Sequence, residues 1–372
     1  MSQPGDGVSP PGEITIHGVR SDEVQLAYGE NRWQDDPPPA YYRLEGASDD
    51  PLALHRFEHL NPDKPGGVVN LLDLDRALQT VTHLAAGCLW DSRPRIAVAV
   101  KHGNPCGATM QAYYPPARQV VHGDPLSIFG GVLVCTFCID RLFAEELLTF
   151  RCDGKRILAG IAAPGFSDDA LGYLLKHGGR SCKLWQNLAL SDPTLDTTPR
   201  FMSVRGGFIV QSNYTFVLDL NAPYIEVHGE RGGYEVEQAL VRAWAIGSTS
   251  NSNTITLVQN NGVLVGNGVG QQDRVGAAEL AIKLARRSGH ELSSSWITAG
   301  ESETKTESHV VAYSDSFFPF PDGIEVLAAA GIKYVLASSG SIGDPAVISR
   351  AKELGVTLYL GPDKLIRGFA CH

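Results

Sequence analysis

Short β-branched apolar runs alternate with segments of helical period along most of this chain, and that alternation restricts its fold more than any other feature. Arg95 to Val100, Val132 to Cys135, Ile157 to Ala163, Tyr334 to Ala337 and Val356 to Leu360 have the length and composition of buried strands. Leu72 to Leu89, Leu142 to Thr149, Ala170 to His177, Glu235 to Ile246, Arg274 to Ser288, Gly323 to Ala330 and Pro345 to Leu354 read as helices. In the first of these Leu74, Leu78, Val81 and Leu84 fall at helical spacing, with Asp73 or Asp75 near the start. Strands alternating with helices predict a layered α/β architecture with largely parallel pairing. Thr254 to Val258 and Val263 to Val265 flank Asn260-Asn261-Gly262, a hairpin signal. Ser181 to Val227 is strand-like and irregular.

A chain of 372 residues suggests two domains or one composite unit. Its net charge of −10 and lack of a basic run argue against a nucleic-acid binder, and an anionic ligand needs local cations. The apolar runs are far too short to span a membrane, and the N-terminus has no basic-then-apolar signal pattern. Seven cysteines, odd in number and irregular in spacing, point to a reducing cytoplasm. Cys135-Thr136-Phe137-Cys138 has the spacing of a redox or zinc pair, but it has no second pair and reads as buried structural cysteine. A nucleophile elbow, a Walker loop and a metal-ligand cluster are all missing from the sequence.

The run Lys101-His102-Gly103-Asn104-Pro105-Cys106-Gly107 follows a strand and sets an ammonium beside an imidazole. Ligands of open α/β sheets collect at the carboxyl ends of strands. Imidazole moves protons near neutral pH, and a neighbouring lysine stabilises a developing anion. A bare Lys-His pair also reads as a polar turn with a solvated lysine. Tyr28-Gly29-Glu30-Asn31, Ser250-Asn251-Ser252-Asn253 and Gly266-Asn267-Gly268-Val269-Gly270-Gln271-Gln272-Asp273-Arg274 are each turns or ligand contacts. Phe317-Phe318-Pro319-Phe320, between Asp315 and Asp322, suits a flat heterocycle if it is a loop rather than core. Asp124 to Gly131 and Asp315 to Gly323 form a faint internal echo, as two related subdomains would.

Taken in order, these motifs, with Arg205-Gly-Gly-Phe-Ile-Val-Gln211 and Gly340-Ser-Ile342, resemble the transformylase half of the family of bifunctional AICAR transformylase/IMP cyclohydrolases. AICAR is 5-aminoimidazole-4-carboxamide ribonucleotide. The resemblance runs from about Val24 to His372, and the Lys-His-x-Asn-Pro-Cys-Gly run is its most specific part. The cyclohydrolase part is not in the chain, so the resemblance implies a stand-alone transformylase. It implies two cytidine-deaminase-like three-layer α/β/α subdomains with a smaller helical insert. These are expected over 21–180 and 247–372, joined by 181–246, after a disordered tail over 1–20. It further implies a cytoplasmic homodimer with shared sites, 10-formyltetrahydrofolate as co-substrate, no catalytic metal and room for a structural monovalent cation. Carried over by position, Lys101, His102 and Asn253 are catalytic. Tyr28, Phe129, Gly130, Arg274, Phe317, Phe318 and Arg367 fall on the nucleotide side, and Pro319, Phe320 and Asp322 on the folate side. Ala27 stands where the family has an arginine, which Arg32 would replace, and Gly165 stands where some members have an aspartate. Those departures keep two alternatives open: a related amine as acceptor, or a non-catalytic nucleotide- or folate-binding homologue.

Overall fold

The computed structural model describes residues 17–21, 24, 26–30, 37–44, 49–87, 95–111, 116–293, 295–298 and 305–370. Arg32, Asn31, Leu89 and His372 lie outside the described residues, as do residues 1–16 of the expected tail. The rest of that tail is ordered in part, because Gly18–Arg20 pairs with Tyr42–Leu44 as two short antiparallel strands.

Two six-stranded sheets carry the molecule. The first is built from β1 (Glu58–His59), β2 (Arg95–Lys101), β3 (Asn104–Gln111), β4 (Val132–Cys135), β5 (Gly160–Ala163) and β6 (Lys183–Gln186), in the order β1-β6-β5-β4-β2-β3. The second is built from β7 (Glu226–His228), β8 (Ile255–Gln259), β9 (Leu264–Gly268), β10 (Val310–Ser314), β11 (Tyr334–Ser339) and β12 (Thr357–Pro362), in the order β7-β12-β11-β10-β8-β9. Each strand of the second sheet therefore takes the place of the strand six earlier. Directions match too: β6-β5-β4 and β12-β11-β10 are parallel, and every other neighbouring pair is antiparallel. The pairing is thus mixed rather than largely parallel. β2 and β3 are joined by two residues, a connection that only antiparallel strands allow.

Helix α1 (Val68–Gly87) packs on β2 and β4, and α5 (Tyr234–Gly247) packs on β8 and β10. α1 and α5 also pack on each other, and Leu74, Leu78, Val81, Leu240 and Trp244 share one core. α2 (Pro116–Gly123), α3 (Arg141–Thr149) and α4 (Asp168–His177) are packed in sequence with α2 on β3. α6 (Arg274–Arg287), α7 (Asp322–Ala329) and α8 (Asp344–Glu353) repeat that arrangement with α6 on β9. The helical positions follow the apolar spacing closely, because amphipathic faces are specified locally.

Edge strands β3 and β9 touch, with Thr109 bridged antiparallel to Val263. The connecting region expected over 181–246 carries β6, a 3-10 turn (Leu188–Ser191), the hairpin of Arg200–Val204 with Gly207–Gln211, β7 and nearly all of α5. The expected boundaries fall before β6 and in the last turn of α5. The repeat is also registered differently from the sequence echo: Asp124 to Gly131 precedes β4, whereas Asp315 to Gly323 follows the equivalent β10. Those turns stand at opposite ends of matching strands, so their similarity is one of composition. Cys135 is buried while Cys138 is exposed, so the pair is not jointly structural. Among the described residues no helix is long and apolar enough to cross a membrane.

Candidate functional site

Lys101 ends β2, and His102 and Gly103 alone make the turn into β3. Both turn residues are left-handed, with φ of 53° and 72°. A two-residue hairpin of this hand matches the twist of its strands but prefers Asn-Gly. A residue with a Cβ in that region costs roughly 1–2 kcal/mol. The turn has help. Asp73 of α1, 3% exposed, accepts a hydrogen bond from the Gly103 N–H at 2.7 Å. Burial raises the Asp73 pKa, opposed by the N–H groups of Gly103 and His102 and by the charges of His102 and Lys101. Asn104 donates to the His102 carbonyl at 3.2 Å.

The Lys101 ammonium donates to the Phe129 carbonyl at 2.7 Å, and Gly130 lies against it with φ of 77°. Gly131 packs so closely on Val100 that a Cβ would sit 2.8 Å from its carbonyl oxygen. Asp124 pins this loop by accepting from the N–H groups of Leu126 and Ser127 and from the Ser127 hydroxyl, and it pairs with Arg287 of α6 at 2.8 Å. Lys101, His102, Phe129 and Gly130 are therefore brought together. The first sheet places them at the amino ends of β4 and β5, because β2 runs antiparallel to β4. The carboxyl-end rule holds here only for β2 itself. Tyr28 reaches the start of α1, its ring lying where a Cβ on Gly67 would be 2.1 Å away. Ala27 beside it is exposed.

A cleft of about 460 Å³ opens beside Lys101 and His102. Asn104, Asp124, Ser127 and Asn267 give it polar groups, and Leu264, Leu280 and Leu284 give it an apolar wall. Cys106 also lines it, but burial pushes that thiol up to about 12, so it stays protonated. Among the described residues no group of three or more His, Cys, Asp or Glu could hold a metal ion.

The remaining site residues stand at the carboxyl end of the second sheet. Asn253 donates through its amide to the Gln271 carbonyl at 2.9 Å. Arg274, at the first position of α6, is buried and paired with Asp315. Asp315 also accepts from the Thr254 N–H at 3.0 Å, and its carbonyl accepts from the Gly368 N–H. Arg367, 47% exposed at its side chain, reaches Asp363 at 3.5 Å. Phe317 is half-buried, while Pro319, Phe320 and Asp322 are exposed. Phe318, grouped with them by sequence, is a core residue at 2% exposure, packed where a Cβ on Gly323 would clash.

Two asparagines join the groups. Asn104 accepts from the Asn251 N–H, and Asn267 donates to the Pro105 carbonyl and the Ser250 hydroxyl, each at 2.9 Å. Asn104 is paired with Lys101 across the turn, so its bond to Asn251 sets the Lys101 turn against the segment that carries Asn253. Gly165 follows β5 at its carboxyl end, opposite to the Lys101 end of that sheet. Sequence reasoning missed the hold of Asp73 on the turn and the bonding of Asn104 and Asn267. Asp73 could have been flagged, because it shares the apolar face of α1 with Ala77 and Val81, and a carboxylate there needs a partner.

The AICARFT/IMPCHase bienzyme family matches residues 7–284. The bifunctional purine biosynthesis protein PurH of Bacillus mycoides (strain KBAB4) is 32% identical over 354 residues, covering 95% of this chain and 60% of that protein. PurH of Thermotoga maritima is 30% identical over 350 residues, covering 94% of this chain and 64% of the relative. PurH of Mycobacterium ulcerans (strain Agy99) is 31% identical over 342 residues, covering 91% and 57%. The chain spans about 60% of the length of these relatives. With the Lys101-His102 turn, the Phe129-Gly130 loop and the family match together, the chain belongs to the AICARFT/IMPCHase bienzyme family.

Proposed function

We propose that this chain transfers the formyl group of 10-formyltetrahydrofolate to the 5-amino group of AICAR, giving formyl-AICAR (FAICAR) and tetrahydrofolate. The observation that carries the reading is the Lys101-His102 pair, held on a strained turn beside a cleft in a chain of this family. The acceptor amine is a weak nucleophile because its lone pair is delocalised into the imidazole ring. His102 takes its proton as the nitrogen attacks the formyl carbon. The C=O bond opens to an oxyanion, which Lys101 and one amide hydrogen of Asn253 stabilise. The oxyanion then reforms its double bond, the bond from carbon to N10 of the folate breaks, and N10 takes the proton from imidazolium. Arg367 serves the phosphate, and Phe320 with Pro319 and Asp322 serves the folate.

A homodimer in which each site draws on two chains belongs to the same reading, as the family resemblance implies. The hairpin of Arg200–Val204 and Gly207–Gln211 exposes Phe201, Val204, Phe208 and Ile209, as a chain that closes on a second copy would. The matching order of the two sheets supports the cytidine-deaminase-like subdomain reading. A cytoplasmic location and a structural monovalent cation belong to the same reading. A related amine as acceptor remains the second reading, because Ala27 is exposed and offers no charge where the family has arginine.

The test is turnover of purified protein with AICAR and 10-formyltetrahydrofolate, following tetrahydrofolate and formylated product together. Product with AICAR supports the proposal. Product only with another imidazole or purine amine moves the acceptor, and no product with any amine returns the chain to a binding role.

A further inference from the structure

We infer that Asp73 is a positioning residue for His102, acting through the backbone of the turn. The inference rests on the formyl-transfer reading for its kinetic part only. His102 carries a Cβ at φ of 53°, next to Gly103 at 72°, in a two-residue turn closed by the Lys101–Asn104 pair. Gly103 suits its position, but His102 is a weaker choice than Asn at the first, so a contact from outside the hairpin adds to the hold on the turn. The Asp73 carboxylate makes that contact. It accepts from the Gly103 N–H at 2.7 Å, and the His102 N–H also faces it.

The arrangement makes sense of a carboxylate 3% exposed on a helix face that otherwise builds core. A buried carboxylate with no positive partner would be costly. Here the two N–H groups and the charges of Lys101 and His102 favour its ionised form. Its negative charge also lies beneath the pair that becomes more positive when His102 takes a proton. Asp73 sits in α1, which packs on both β2 and α5, so the turn is referenced to the rigid centre of the molecule rather than to a surface loop. Asn104 clamps the other side, through the His102 carbonyl and the Asn251 N–H. The imidazole is left to face the cleft.

Four measurements test this. Asp73→Asn keeps the size and an accepting oxygen but removes the charge and one acceptor. It should lower kcat about 10- to 100-fold, as a displaced general base does, with the KM for AICAR little changed. In a His102→Ala background the same substitution should change the residual rate by less than about twofold, because a residue acting through His102 has nothing left to position. Equal losses in both backgrounds would show a structural role only, and an unchanged kcat in the single variant would overturn the inference. Asp73→Glu should recover part of the rate if backbone capture is what matters. If the variants do not fold, amide exchange in the unmodified protein still decides. The Gly103 amide should be protected well beyond an unbonded turn amide, and fast exchange there would sink the idea. Should the unmodified protein form no product, the formyl-transfer reading fails, while Gly103 protection still reports on Asp73.

Discussion

Hairpins β2-β3 and β8-β9 occupy the same place in the two sheets and turn by different means. The second uses Asn260-Asn261-Gly262, in which Gly262 supplies φ of 87° and Gln259 and Val263 close the loop. Those residues have the preferences the turn requires, and Asn260 adds a reciprocal pair of bonds to His309, its N–H donating to the His309 carbonyl and its side chain accepting from the His309 N–H. The first uses His102-Gly103 and leans on Asp73 of another element. Two copies of one scaffold therefore differ in a telling way. Both take support from outside the hairpin, but the second has turn-forming residues at every position, whereas the first gives one position to an imidazole beside an ammonium. Strain that needs outside support is where function is to be sought.

The sharpest way to break this comparison is to remove the chemistry from each turn. His102→Ala should lower kcat about 100- to 10,000-fold, the usual worth of a positioned general base. Asn261→Ala, at the matching place, should leave kcat unchanged while both proteins stay folded. Similar rates in the two variants would erase the distinction between the turns.

A second contrast lies within the second half. Arg274→Ala leaves the buried Asp315 carboxylate without its ion partner and should destabilise the protein by about 3–5 kcal/mol. Arg367→Ala removes a half-exposed cation and should raise the KM for AICAR with little change in urea midpoint. Denaturation curves and both Michaelis constants separate the cases. A stable Arg274→Ala variant would mean that Asp315 finds another partner.

Glycine substitution compares the backbones directly. A Cβ on Gly103 meets nothing within 4 Å, so Gly103→Ala should lose only the left-handed preference, about 1 kcal/mol. A Cβ on Gly262 would stand 2.7 Å from the Met110 carbonyl oxygen, so Gly262→Ala should be the more destabilising of the two. Urea midpoints decide the order.

The smallest effect concerns the seam between the halves, where His122 at the end of α2 meets His290 after α6 at 3.2 Å. Burial, then His290 and Arg151, push the His122 pKa down to about 4, and burial lowers that of His290. A histidine that stays neutral when folded binds fewer protons than its unfolded form between pH 6.5 and 4. Stability should therefore fall as pH falls through that window and level off below it. His122→Asn should flatten the change in Tm over that range, and an unchanged profile would remove the seam as its origin.

Much of this molecule is legible along the chain. Strand β4 and helix α3 match their apolar runs within a residue, because amphipathic spacing is a local property. The turn at Asn260 to Gly262 was equally plain for the same reason. Strand β3, which includes Pro105, Gly107 and Thr109, was not, since its strand character comes from pairing with β2 and from burial. The candidate site divides similarly. Lys101 and His102 stand out as residue types in a motif, whereas Phe318 belongs to the core and Arg274 is held by Asp315, facts of packing that no spacing reveals.

By itself the sequence determined most of the helices and apolar strands, the Lys-His pair and the family, because periodicity, turn chemistry and motif are written in neighbouring residues. Tertiary structure alone decided the strand order of the two matching sheets, the contact of their edges at Thr109 and Val263, and the hold of Asp73 on the turn 30 residues away. The physical reason is that hydrogen-bond partners and buried charges are chosen by which surfaces close together, and that choice is made across the chain rather than along it.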